Sequence, residues 1–213
     1  MVTDIWRGKQ RFNAAVAVLL TALLAAPILA FERQAGVVAM LRSTPRGRGR
    51  LLRRKAVTAA LLGGFVWGCV YIRKLQTFLD WIPSPKTLAA AMQNIDALAE
   101  FPFIVSLGQY LTILYALRLV MLIGVAEAAL TIGLFCSNIR ISYLVSTVVM
   151  GFPALLPALG VETFKWVSPL VPVASAELMW GIGNGSLLYL LPWIAWLCVA
   201  LVLLYVCHKK WVQ

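Results

Sequence analysis

Charge is scarce in this chain, and acidic charge is scarcer. Charged residues make up 13% of the 213 positions, with 8 Asp+Glu against 19 Lys+Arg. That is about half the usual charged share of roughly 25%. There is a single histidine, His208. With one imidazole, no HExxH and no Asp/Glu pair at helical spacing inside an apolar run, the side chains a hydrolase or metalloenzyme needs are missing. No GxxxxGK[ST] is present either. Gly47 and Gly49 alternate with arginines and lack the spacing of a phosphate-cradling loop, so no nucleotide site is read in the chain. Cys69, Cys136, Cys198 and Cys207 lie in or beside apolar stretches, with no CxxC and no His partner. They read as small buried residues, with no cofactor or metal implied. No internal repeat or low-complexity tract stands out.

What the chain has instead is apolar surface. Hydrophobic residues reach 62% and the mean hydropathy is +0.86, more than one soluble core of this size can bury. The sequence therefore predicts an all-α, polytopic membrane helical bundle forming a single domain over 1–213. A soluble nucleic-acid binder is excluded, because the basic residues are embedded among apolar runs.

A bilayer-crossing helix needs about 20 predominantly apolar residues. Five spans are expected, at about 13–31, 56–72, 106–136, 141–159 and 187–207. The first has a basic prelude, Arg7, Lys9 and Arg11, but is long for a signal-peptide core and reads as a retained span. Gly63 and Gly64 give the second a small-residue strip for helix packing. The long apolar stretch that follows divides at Ser137-Asn138-Ile139-Arg140, its only polar cluster. Between the spans lie a basic loop over 32–55 and a mixed loop over 73–105, with a surface helix expected over 86–100. A segment over 161–186 is broken by Pro169, Pro172 and several glycines, and reads as a re-entrant or interfacial hairpin. Trp6, Trp81, Trp166, Trp180 and Trp211 fall near span ends or in loops, as an interfacial belt requires, and His208 reads as interfacial too.

The basic loop sets the expected orientation. It carries eight cations (Arg33, Arg42, Arg46, Arg48, Arg50, Arg53, Arg54 and Lys55) and one acid, Glu32. Placing it in the cytoplasm, with Arg140, Lys209 and Lys210 on the same side, satisfies the positive-inside rule. The N-terminal cations are the discordant group. Within the loop, residues 31–42 read as a short amphipathic helix leaving the first span. Ser43-Thr44-Pro45 interrupts it, and a second helical piece climbs through Arg50 to Lys55 into the next span. The shape is an elbow. A plainer reading is a basic loop that holds topology and touches anionic lipid headgroups.

Two ionisable residues, Arg118 and Glu127, lie inside the third span. Intramembrane charges are costly and mark function or structure by default. Nine residues apart at about 100° each, they fall half a turn out of phase and cannot pair within one helix. Each is expected to face a neighbour, a pathway or a subunit contact.

The pattern Glu32, Gly36, Leu41, Ser43-Thr44-Pro45-Arg46-Gly47-Arg48 and Lys55 resembles the loop between the second and third helices of type-2 ABC exporter permeases. Ile95-Asp96-Ala97-Leu98, then Ser106-Leu107-Gly108-Gln109-Tyr110-Leu111 and Arg118-Leu119-Val120, is similar to the end of that family's external loop and the start of its next helix. The broken hairpin before the last span fits as well. The resemblance runs from about Phe31 to Val206. It implies a permease without its own ATP site, a separate ABC-type ATPase subunit docked on the elbow, and a second permease copy or homologue completing a dimer in the cell membrane. Carried onto this sequence, the docking surface is Glu32, Arg42, Thr44, Pro45, Arg46 and Arg48. Family members usually have six helices. The resemblance thus makes this chain a member lacking the first helix, with the N-terminal cations as the tail of an external loop. The competing expectation is a non-transporting membrane accessory or assembly protein whose basic loop binds anionic lipid or a soluble partner.

Overall fold

The computed structural model describes residues 2–37, 47–80, 85–91 and 106–155, together with isolated positions at 173, 194–196, 198, 199, 201, 202, 205 and 209. Among them every regular element is helical: α1 (Val2–Ala25), α2 (Pro27–Gln34), α3 (Gly47–Trp67), a π-turn (Gly68–Ile72), α4 (Arg73–Asp80), α5 (Pro85–Leu88), α6 (Leu107–Phe135) and α7 (Ile139–Leu155). Three stretches are long and apolar enough to cross a membrane: Phe12–Gln34, Arg50–Thr77 and Leu107–Phe135.

The first of these is bent. Pro27 opens α2 and has no N–H to give back to the preceding turn, so the helix breaks between Ala25 and Pro27. Within the helix expected over 31–42, the chain is interrupted at Ala35 and Gly36 and is helical again at Val37, while 38–42 lie outside the described residues. The N–H of Ala35 donates to the Phe31 carbonyl and that of Gly36 to the Arg33 carbonyl. Gly36 takes φ +69°, a left-handed conformation that suits glycine and ends the helix there.

α3, the π-turn and α4 form one continuous rod from Gly47 to Asp80. It extends beyond the expected 56–72 at both ends. On the N-terminal side Arg and Lys are good helix formers and prolong the helix as the elbow reading anticipates. On the other side Arg73–Asp80 is polar enough to end the apolar run without ending the helix.

α6 is the axis of the bundle, packed against α1, α2, α3 and α7. Every residue from 125 to 131 is buried, so neighbours surround the helix on all sides there. A helix apolar all round belongs in such a place. Its start is set by a capping box: Ser106 Oγ accepts from the Gln109 N–H at 3.3 Å, and Gln109 Oε1 accepts from the Ser106 N–H at 3.1 Å. The segment before it folds back onto this end. Leu107 N–H donates to the Ala90 carbonyl at 3.1 Å, and Ala91 bridges Ser106. The helix expected over 86–100 is thus helical at Pro85–Leu88 and extended by Ala91, while 92–100 lie outside the described residues.

The chain turns at the anticipated polar cluster. Asn138 Oδ1 accepts from the Arg140 N–H at 3.1 Å and starts α7. α7 has 17 described residues, about 25 Å of helix. The expected span at 141–159 falls partly outside the described residues. So do the hairpin at 161–186, apart from Val173, and most of the span at 187–207.

Small residues let the helices approach. A Cβ on Gly63 would lie 2.9 Å from the Leu122 carbonyl oxygen of α6. A Cβ on Gly133 would overlap the Ala26 carbonyl oxygen at the α1–α2 bend, which also accepts from Ser142 Oγ of α7 at 3.0 Å. Large apolar side chains on the outer faces remain exposed, including Phe12, Leu61, Phe65, Leu144 and Phe152, the surface a hydrocarbon solvent would cover.

Candidate functional site

Two constellations of polar side chains stand out, one at the elbow and one inside the bundle.

At the elbow, four bonds tie α2 to its neighbours. Glu32 pairs with Lys55 of α3 at 2.5 Å, with both side chains largely covered. Lys55 Nζ also donates to the Ile28 carbonyl at 3.0 Å. Arg33 Nη1 donates to the Leu134 carbonyl at the end of α6, at 2.5 Å. Gln34 Oε1 accepts from the Ile139 N–H at the start of α7, at 3.3 Å. Lys55 sits in the helix that leaves the basic loop, and Glu32 in the helix that enters it. The pair therefore closes the base of the elbow. An exposed pair of this kind contributes about 0–1 kcal/mol; partial burial and the second acceptor on Lys55 raise its weight here.

Of the sequence-predicted docking residues, Glu32 is thus engaged within the chain. Arg48 lies in the first turn of α3, in its backbone trace. Arg42, Thr44, Pro45 and Arg46 lie outside the described residues.

The second constellation surrounds Arg118. The side chain is 5% exposed. Its guanidinium carbon stands 5.0 Å from the Tyr71 ring centroid and 5.5 Å from that of Tyr115. The two rings meet edge to face at 88°. Trp67 packs edge-on against Tyr115 and donates its indole N–H to the Tyr115 carbonyl at 3.1 Å, fixing α3 against α6. The π-turn aligns this group. The buried positions of the rod run Leu52, Ala59, Gly63, Val66, Tyr71, and the last step of five residues would leave the packed face of an α-helix. The wider winding at Gly68–Ile72 keeps Tyr71 on it, and such turns recur at functional sites.

The electrostatics of Arg118 are incomplete. Arginine near the middle of a span costs about 2.5–3.5 kcal/mol or more, and each desolvated ring contact returns about 2 kcal/mol. The rings thus offset part of the charge from the side on which they pack. Their π-faces do not replace an oxygen acceptor for its N–H donors. Among the described residues Arg118 Nε has no hydrogen-bond partner and the guanidinium meets no carboxylate. A buried donor left unmet costs about 1–3 kcal/mol.

Glu127 does not supply the missing acceptor. It lies nine residues further along α6, half a turn out of phase, buried and with Oε2 unpartnered among the described residues. With α6 about 43 Å long and a hydrocarbon core of about 30 Å, both residues fall within membrane depth when the helix is centred. They are separate features on opposite sides of one helix.

The sequence reading singled out Arg118 and Glu127 but missed Tyr71, Tyr115 and Trp67. The available signal was spacing: Trp67 and Tyr71 are four apart on one helix, Tyr115 and Arg118 three apart on another, so each pair shares a face. Among the described residues no group of three His, Cys, Asp or Glu could hold a metal.

No protein-family model matches the chain, and no curated protein or solved structure matches it.

Proposed function

We propose that this chain is the multi-pass, membrane-embedded permease subunit of an ABC-type exporter in the cell membrane. A separate ATPase would dock on the basic 32–55 elbow, and a second permease copy or homologue would complete the pathway. The observation that carries this reading is the bracing of the elbow. Through Glu32–Lys55, Arg33–Leu134 and Gln34–Ile139, a force applied at the loop is delivered to α2, α3, α6 and the start of α7 together. A loop that only contacts lipid has no need of such ties. In this reading the arginines at 42, 46 and 48 meet the ATPase, while Glu32 stiffens the elbow behind them. The resemblance of the Ser43-Thr44-Pro45-Arg46 turn to exporter permeases supports the same assignment.

The test is co-purification and coupled turnover with ABC-type ATPase subunits co-expressed from the same source. The triple variant R42E/R46E/R48E is expected to lose the ATPase from purified membranes. E32Q is expected to keep it and lose stimulation of its turnover. Unchanged co-purification with the triple variant would overturn docking at the elbow. A wild-type chain that binds anionic vesicles through the loop and recruits no ATPase would favour the accessory-protein reading.

A further inference from the structure

We propose that Arg118 with Tyr71 and Tyr115 forms a binding site for the oxyanion of an amphiphile, a carboxylate or phosphate group carried on an apolar tail.

Three observations carry it. The Arg118 side chain is almost wholly buried and its Nε is sealed from solvent, so bulk water does not reach that donor. Two tyrosine rings crowd it from one side, their centroids 5.0 and 5.5 Å from the guanidinium carbon and 6.2 Å from each other, which leaves the N–H groups on the side away from the rings to meet a ligand. Among the described residues Nε has no hydrogen-bond partner and no ion pair joins Arg118 to a carboxylate. A planar, rigid fork of N–H donors matches the two oxygens of a carboxylate or a phosphate in bidentate fashion. Packed against the two rings on one side, it is held in place for that geometry.

The surroundings select the rest of the ligand. Trp67, Tyr71, Tyr115, Met121 and Leu122 belong to one apolar cluster, and exposed Ile72 and Val120 lie next along the same helices on the outer surface. A small hydrated anion would lose its water with nothing apolar to bury in return. An anionic headgroup with a hydrocarbon tail keeps the tail in apolar surroundings while the oxyanion meets Arg118. Tyr71 contributes a further hydroxyl, which donates to the Val173 carbonyl at a long 3.5 Å and is therefore weakly committed. This site stands independently of the exporter reading, because a bound amphiphile could be cargo or a resident lipid.

The test uses the full chain in nanodiscs of phosphatidylcholine, with Trp67 as reporter, its signal isolated by subtracting W67F. Brominated palmitate and brominated phosphatidylglycerol are titrated against uncharged brominated methyl palmitate and brominated phosphatidylcholine. Saturable quenching by an anionic quencher and not by its neutral counterpart is expected. Saturation in the carboxylate arm alone identifies a fatty-acid-like ligand, in the phosphate arm alone a phospholipid headgroup, and in both arms a general oxyanion site. R118L should weaken the anionic arm about ten- to a hundred-fold, the scale of a charge-assisted hydrogen bond. R118K, which keeps the charge and loses the fork, should fall between. Equal quenching by charged and neutral analogues in the wild-type chain would overturn the proposal without reliance on any variant. So would undiminished anion binding by a folded R118L.

Discussion

Gly63 and Gly64 are adjacent in one helix, yet the structure assigns them opposite responses to a methyl group. A Cβ on Gly63 would meet three backbone atoms of α6: Leu122 O at 2.9 Å, Leu122 C at 3.1 Å and Ile123 Cα at 3.2 Å. None of these is a flexible side-chain end, so α3 and α6 must separate to admit it. A Cβ on Gly64 would find Leu119 Cδ1 at 3.9 Å, an ordinary contact. Both substitutions gain the same helix propensity, about 1 kcal/mol for Gly→Ala. The difference between them therefore isolates the packing cost, about 1–3 kcal/mol for overpacking. G64A is expected to be neutral or stabilising, and G63A to be the less stable of the two by that amount. At about 2–4 °C per kcal/mol for a chain of this size, the midpoints should differ by about 2–12 °C. Tryptophan-fluorescence melts of both variants in one detergent would measure it. Equal midpoints, or a G64A below G63A, would refute the claim that Gly63 sets the closest approach of α3 to α6.

Two further outcomes follow from the same geometry. G133A should be harsher than G63A, because its Cβ would overlap the Ala26 carbonyl oxygen and disturb the Ser142 bond to that same atom; the yield of monodisperse protein after size exclusion would report it. At the elbow, the double-mutant cycle of E32Q and K55Q should show a coupling of about 0.5–2 kcal/mol in stability, and the charge-swapped E32K/K55E should recover part of it. Additive losses would mean the pair at 2.5 Å contributes no interaction of its own.

The bounds of α6 were legible because local chemistry fixes both ends. Ser106 and Gln109 cap one end, and the Cys136-Ser137-Asn138 turn stops the other, so the expected 106–136 is found as Leu107–Phe135. The bend at Pro27 is also a local signal, but a single proline four residues from the end of an apolar run was absorbed into one expected span. The interruption after Gln34 turns on Gly36, whose left-handed backbone breaks the amphipathic pattern before Val37 is helical again. The ring pair beside Arg118 was legible only in part, since spacing puts Trp67 with Tyr71 and Tyr115 with Arg118 but does not bring one pair to the other. It depends on the π-turn rephasing Tyr71 and on Gly63 letting α3 approach α6, and hydropathy records neither. Likewise Glu32 carried a sequence signal as an acid in a basic loop, whereas its commitment to Lys55 is a tertiary contact 23 positions away.

The ties of Arg33 and Gln34 have a mechanical meaning. Adjacent residues grip opposite sides of one turn, the carbonyl of Leu134 before it and the N–H of Ile139 after it. One attachment point would act as a ball joint, leaving the turn free to rotate beneath α2. Two points define a line, and motion is then confined to bending about that line. Tilt of α2 is transmitted to the α6–α7 corner, and twist about the joint is blocked. Losing either tie restores a rotational degree of freedom, so the corner would still follow α2 but with its direction no longer fixed.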